Sequence, residues 1–207
     1  AILYVHTSNY KIVGFTEEVA LKDLSKLCKK KNILFLCDLG SGSIYKSNNN
    51  KIPFEREVSS YIKNDVDVVT YSGDKLLGSI QSGMLSGKKK LIDKIYRNPI
   101  YRTLRCDKYR IALLERVLRT YVSSNDVTED NLSIQLFERS QSKLMEEAKK
   151  VISKLKISSK IKVTIEETMV EAGSGSLPTE QISSSALVLE SKEISSNKIS
   201  NKLRNES

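Results

Sequence analysis

Three short, continuous apolar runs punctuate the first third of the chain: ILYVH at 2–6, ILFLCDL at 33–39 and VDVVTYS at 66–72. Runs of this length, without polar alternation and with β-branched residues in the last, predict strands buried on both faces of a sheet. Between the first two, TEEVALKDLSKLCKKK (16–31) brings Ala20, Leu21, Leu24, Leu27 and Cys28 round at helical spacing. Thr16 is the expected N-cap, with Glu17 and Glu18 in the first turn and lysines in the last, where the helix dipole favours each sign. Between the second and third runs, EREVSSYIKN predicts a shorter helix with Val58, Tyr61 and Ile62 on one side. The order strand, helix, strand, helix, strand predicts a parallel sheet with right-handed crossovers, and such sheets gather ligands outside the carboxyl ends of their strands.

After Gly83 the period changes. KKKLIDKIYRN predicts a helix stopped before Pro99, and DKYRIALLERVLRTYV another, with Ile111, Leu114, Val117, Leu118 and Tyr121 on one stripe. A third helix is expected through LSIQLFERSQSKLMEEAKKVISKLK, followed by strands in IKVTIEETMV and, past GSGSLPT, in ALVLES. SSND at 123–126 marks the expected boundary between a first domain, 1–122, and an α+β domain, 123–207; SNNN at 47–50 reads as a loop. AILYVH opens as a strand already under way and EISSNKISNKLRNES closes on no recognisable element, so both ends are expected to be cut.

Composition adds direction. An apolar share of 39% in 207 residues is enough for a core. Lys and Arg number 34 against 25 Asp and Glu, a net +9, and most of that surplus is local: residues 85–122 hold eleven basic against three acidic residues. A basic surplus of this kind suits acidic partners, nucleic acid among them, or an AT-rich genome's lysine habit, and composition alone does not choose between them. KKK at 88–90, Arg97, Arg110, Arg116 and Arg119 are candidates for that attraction. Cys28, Cys37 and Cys106 are widely spaced and joined by a single histidine, which argues against a zinc site or a disulfide framework. No apolar run approaches the roughly 20 residues that cross a bilayer, and a cytoplasmic protein is expected.

Candidate chemistry gathers at the predicted carboxyl edge. Lys75, in TYSGDKLLGS, follows the third strand, and a lysine amine in such a place can serve as a nucleophile toward an aldehyde cofactor such as pyridoxal phosphate. Ser72 precedes it by three and can offer a hydroxyl to a cofactor phosphate. Asp38, in CDLGSGS at the end of the second strand, can pair with a pyridinium nitrogen, and Gly40 and Gly42 permit close backbone approach. Asp74 could assist proton transfer or cap a turn; His6, Ser8 and Asn9 close the first strand, with Asn9 the candidate cofactor neighbour.

Four blocks in order, VHTSNYKIVGFTEEV (5–19), CDLGSG (37–42), VVTYSGDKLLG (68–78) with Gln81 and Gly83, and NPIYRTLRCDK (98–108), resemble the bacterial selenocysteine synthase family, the L-seryl-tRNA(Sec) selenium transferases. The likeness continues in VEAGSGSLPTEQISSSALVLES. It implies an aminotransferase-like fold type I enzyme, with 1–122 as the C-terminal half of the pyridoxal-phosphate-binding large domain and 123–207 as a partial small domain. It implies Lys75 as the Schiff-base lysine, Asp38 as the partner of the ring nitrogen, and Arg102 and Arg105 as the residues that hold selenophosphate. The i, i+3 spacing of the two arginines predicts guanidinium groups on one face of a helical turn. The implied reaction converts L-seryl-tRNA(Sec) to L-selenocysteinyl-tRNA(Sec) through dehydroalanyl-tRNA, in a ring of dimers. The family's tRNA-binding N-terminal domain and first half of the large domain have no counterpart here, so the chain is expected to be a fragment that need not turn over alone. Ser79 and Ile80 depart from the family's glycine and proline beside the lysine. Two alternatives stand beside this reading: a related lyase acting on a small amino acid or amino sugar acid, and a non-catalytic, basic, RNA-binding remnant.

Overall fold

The three apolar runs form strands β1 (Ile2–Val5), β2 (Phe35–Asp38) and β3 (Val68–Ser72). A computed structural model describes residues 1–6, 12, 14–46, 57–123, 127–171 and 181–205. The strands lie in the order β1-β2-β3 and pair parallel, as the alternation with helices predicts. A fourth strand, β4 (Gly83–Gly87), was not expected from its sequence and pairs antiparallel with β3, from Val68 opposite Gly87 to Ser72 opposite Gly83. The α/β class with a mainly parallel sheet is the one observed.

One face of the sheet makes the core. Phe35, Cys37 and Leu39 from β2 and its exit join Val69 and Tyr71 of β3, and are covered by helix α1 (Leu21–Lys31) through Leu21 and Cys28 and by α2 (Val58–Lys63) through Val58 and Tyr61. The opposite face is different from expectation. Leu3 and Val5 on β1 are 60% and 57% exposed, so β1 is buried on one side only among the described residues. Helix α1 also starts later than predicted. Its N-cap is Ala20, without a side-chain cap, and residues 16–20 are not helical. Glu18 instead accepts a hydrogen bond from the Tyr4 hydroxyl on β1.

Beyond β4 come α3 (Lys89–Tyr96), α4 (Pro99–Leu104) and α5 (Lys108–Ser123). Pro99 ends the first of these predictions and opens a new short helix, capped by Asn98, whose side chain accepts from the Ile100 amide at 2.9 Å. The single long helix expected from 132 is broken into α7 (Leu132–Glu138) and α8 (Gln141–Lys154), preceded by α6 (Val127–Asp130). Ser140 caps α8 by accepting from the Lys143 amide, which explains the break. The chain divides there into two compact units, one of Ala1–Glu138 with Glu171–Glu180 and the other of Arg139–Val170 with Gln181–Ser207. Asn131 is hydrogen-bonded to the Leu77 carbonyl, which ties the α6–α7 junction to the first unit.

In the second unit α8 packs on a two-stranded sheet of β5 (Lys162–Glu171) and β6 (Gln181–Glu190), and the last described element is α9 (Ser196–Asn205), a helix the polar tail did not predict. Exposed ion pairs Lys160–Glu193 at 2.6 Å and Lys162–Glu190 at 3.1 Å link the start of β5 to the end of β6. The GSGSLPT segment, the 47–50 loop and positions 124–126 lie outside the described residues. No helix among the described residues is long and apolar enough to cross a membrane.

Candidate active site

Asp38 and Ser72 end adjacent parallel strands at the same edge of the sheet. Asp38 stands opposite Thr70 in the ladder, and the Thr70 hydroxyl donates to Asp38 Oδ1 at 2.7 Å. Strand alternation puts Thr70 and Ser72 on one face and Val69 and Tyr71 on the core face, so Asp38, Thr70 and Ser72 share the side of the sheet away from α1 and α2. The chain leaving Asp38 turns sharply: the Leu39 amide donates to the Thr70 carbonyl at 2.9 Å, and Gly42 has φ of +58° with a notional Cβ only 2.3 Å from Tyr71 Cβ. Only glycine fits there, which accounts for CDLGSG as a spacing.

Lys75 sits in the segment from Gly73 to Ser82 that bridges β3 and β4. This segment is closed by its own backbone: the Gly73 amide donates to the Ser82 carbonyl, the Ser79 amide to the Gly73 carbonyl and the Gly78 amide to the Lys75 carbonyl, each at 2.9 Å. Lys75 is therefore the first residue of a tight turn whose next two residues, Leu76 and Leu77, are buried. Burying two leucines contributes about 1.5–3 kcal/mol each and fixes the turn while the lysine side chain stays half-exposed. Among the described residues Lys75 makes no ion pair, and Asp74 beside it is exposed. Ser79 Oγ, in the same segment, is buried with no hydrogen-bond partner among the described residues.

Two further residues, absent from the sequence reading as site residues, hold this turn. The Leu77 carbonyl accepts from Tyr121 Oη at 2.8 Å and from Asn131 Nδ2 at 3.1 Å. Thr70 was missed as well. A Tyr ending an apolar helix stripe, an Asn before an apolar run and a Thr two residues before Ser72 were the only signals. His6 donates its backbone amide to the Asp38 carbonyl at 2.8 Å, so β1 also ends at this edge; Ser8 and Asn9 lie outside the described residues.

The arginine pair is not arranged as its spacing predicts. Arg102 lies in α4, but Arg105 is the C-cap with φ −64° and ψ 142°, an extended residue, so the two do not share a helical face. Both are exposed and neither pairs with a described acid. Within the basic stretch, all three acids are engaged locally, Asp93 with Lys89, Asp107 with Arg110 and Glu115 with Arg119. Lys88 is drawn to the nearly buried Asp67 at 2.6 Å. Cysteine is no rival nucleophile in the core: burial, and then the neighbouring Cys28, push the Cys37 thiol up to about 12.

The family model described as "SelA: L-seryl-tRNA selenium transferase" matches residues 1–207. The chain belongs to this family. It is 39% identical over 206 residues to the L-seryl-tRNA(Sec) selenium transferase of Alkaliphilus oremlandii, covering 99% of this chain and 44% of that protein. It is 42% identical over 190 residues to the protein of the same name from Caldanaerobacter subterraneus subsp. tengcongensis, covering 91% of this chain and 41% of that one. The chain thus spans less than half the length of the curated relatives it matches. A solved structure of D-glucosaminate-6-phosphate ammonia-lyase superposes with a TM-score of 0.57 at 16% identity, over 92% of this chain and 42% of that one, a likeness of fold alone.

Proposed function

We propose that the protein to which this chain belongs uses pyridoxal phosphate to convert L-seryl-tRNA(Sec) to L-selenocysteinyl-tRNA(Sec) through dehydroalanyl-tRNA, with selenophosphate as donor. The observation that carries the reading is the edge itself: a carboxylate oriented by Thr70 and an amine on a rigid turn, leaving neighbouring parallel strands within a chain of this family. The donor set fits the cofactor. Asp38 Oδ1 is occupied by Thr70, and Oδ2 remains as the acceptor for a protonated ring nitrogen. Lys75 has no acid of its own among the described residues to neutralise it, and the Ser72 hydroxyl lies on the face of Asp38 for a phosphate oxygen.

Bound there, pyridoxal phosphate supplies an electron sink that makes loss of a Cα proton feasible near neutral pH. Lys75 would hold the cofactor's aldehyde and, once released by the substrate amine, takes a proton from Cα and later gives one back there. Asp38 keeps the ring nitrogen protonated. Asp74, exposed beside the lysine, assists transfer of the proton that Lys75 has taken from Cα to the departing β-hydroxyl, which leaves as water, and Lys75 regains a proton from solvent before it protonates Cα. Arg102 and Arg105, two unpaired guanidinium groups on either side of the end of α4, take the selenophosphate oxyanion. Asn9 is the proposed neighbour of the ring's 3-oxygen. The tRNA is held by the exposed basic stretch, and the ring of dimers belongs to the same proposal.

The test is chemical trapping. Full-length protein is incubated with pyridoxal phosphate, reduced with borohydride and mapped by mass spectrometry. The expected result is a phosphopyridoxyl adduct on Lys75 that disappears in Lys75→Ala together with the visible absorbance band. An adduct on another lysine, or a band that survives in Lys75→Ala, removes Lys75 from this role.

A further inference from the structure

The turn that carries Lys75 is held from outside by two side chains, Tyr121 and Asn131. Tyr121, near the end of α5, and Asn131, between α6 and α7, fill both lone pairs of the Leu77 carbonyl, at 2.8 and 3.1 Å, and are bonded to each other, Asn131 Nδ2 to Tyr121 Oη at 3.1 Å. Asn131 is 3% exposed, and its remaining oxygen accepts from the Ile134 amide at 3.2 Å. Its backbone is fixed from both sides, its amide donating to Val127 and its carbonyl accepting from Gln135. Gly78, next to Leu77, has φ of +70°, and a Cβ there would lie 2.5 Å from Asn131 Oδ1, so the turn and the asparagine are in close contact. Burial, and then the nearby Tyr45, push the Tyr121 phenol upward, which keeps it protonated and donating.

We propose that Tyr121 and Asn131 are positioning residues for Lys75: by gripping the Leu77 carbonyl they set where the amine stands relative to Asp38. The inference rests on the reading of Lys75 as the cofactor-binding amine. A helix would need neither bond for its own stability, since α5 is complete without the Tyr121 hydroxyl and α7 keeps its cap through Asn131 Oδ1 alone. The two side chains bring donors from 44 and 54 residues away to one carbonyl, two residues from the lysine.

Two variants separate the grip from simple folding. Tyr121→Phe removes the hydroxyl and keeps the ring; Asn131→Ser keeps a capping oxygen for α7 and removes the amide donor. Hydrogen exchange, without cofactor, reads the turn directly. The Gly78 and Ser79 amides are expected to exchange faster in both variants while those of β2 and β3 are unchanged. With pyridoxal phosphate, borohydride trapping at Lys75 is expected to slow by about tenfold to a hundredfold, the scale set by displacement of a reacting group by an ångström, with a shifted pH midpoint of the visible band and an unchanged KM for seryl-tRNA. Wild-type exchange at 78–79 and wild-type trapping in both variants would overturn the proposal. If Tyr121→Phe does not fold, Asn131→Ser decides alone. Absence of any Lys75 adduct in the wild-type protein sinks the cofactor reading itself and this inference with it, a result distinct from trapping that is present and insensitive to the two substitutions.

Discussion

Thr70 gives its hydroxyl hydrogen to one oxygen of Asp38 at 2.7 Å, across the β2–β3 ladder. A hydrogen bond to an ionised group is worth about 1.5–3 kcal/mol, and its loss lets the carboxylate rotate away from the ring nitrogen it is proposed to meet. Thr70→Val, of nearly equal volume, is therefore expected to weaken pyridoxal phosphate binding by roughly tenfold, measured by absorbance titration, and to lower Tm by several degrees. A variant that binds as tightly as the wild type would remove Thr70 from the site. At this scale Lys75, Asp38 and Ser72 were legible in the sequence because each sits at the end of an apolar run. Thr70, Tyr121 and Asn131 were not, since each acts on a group 32, 44 or 54 residues away, a separation that no local pattern records.

At the scale of elements, α5 depends on Asp107 in the place where a sequence reading sees only another charge. Its Oδ1 accepts from the Tyr109 and Arg110 amides at 2.9 and 3.0 Å, and Oδ2 from the Arg110 guanidinium at 2.5 Å. The Arg110 amide, with the Arg110 guanidinium and the Tyr109 amide after it, holds the carboxyl below its ordinary 3.8. A depressed carboxyl stabilises the fold above its unfolded value and loses that contribution as pH falls through the folded one. The stability of the chain should accordingly fall on acidification below the ordinary carboxylate range, and Asp107→Ala should lower Tm at pH 7 while flattening that acid limb, as read by thermal melts across pH. An unchanged Tm at pH 7 would exclude the cap. Helix existence was mostly readable here and element limits were not. Strand β4, GMLSG, has glycines at both ends and a single side of apolar contact, so it looks like loop until β3 pairs with it. The long helix expected from 132 hid a break because Ser140 is an ordinary helix-surface residue until its hydroxyl is seen capping α8.

Over the whole molecule, the net +9 is concentrated in 85–122, and its three acids are already satisfied by neighbouring bases. Lys90, Lys94, Arg97, Arg102, Arg105 and Arg116 make no ion pair with a described residue, which leaves the excess charge outward. Binding of tRNA to this face is expected to weaken log-linearly with salt, by about 0.7–0.9 in the slope for each phosphate neutralised. Arg97→Ala with Arg116→Ala should shallow that slope by roughly one to two units, whereas an unchanged slope would move the contact elsewhere. The architecture at this scale was legible through its three parallel strands, while the second face of β1, exposed among the described residues, was not, since continuous apolar runs look alike whether or not both sides are covered.

The pairing of Ser72 with Gly83 has a consequence of length. The segment between them behaves as a ring of fixed circumference, closed at its base by the ladder and cross-braced inside. One residue added or removed would slip the register of β4 and turn its side chains to the wrong side. Tags, splice points and labels therefore do not belong there, and natural variation in length should spare it too.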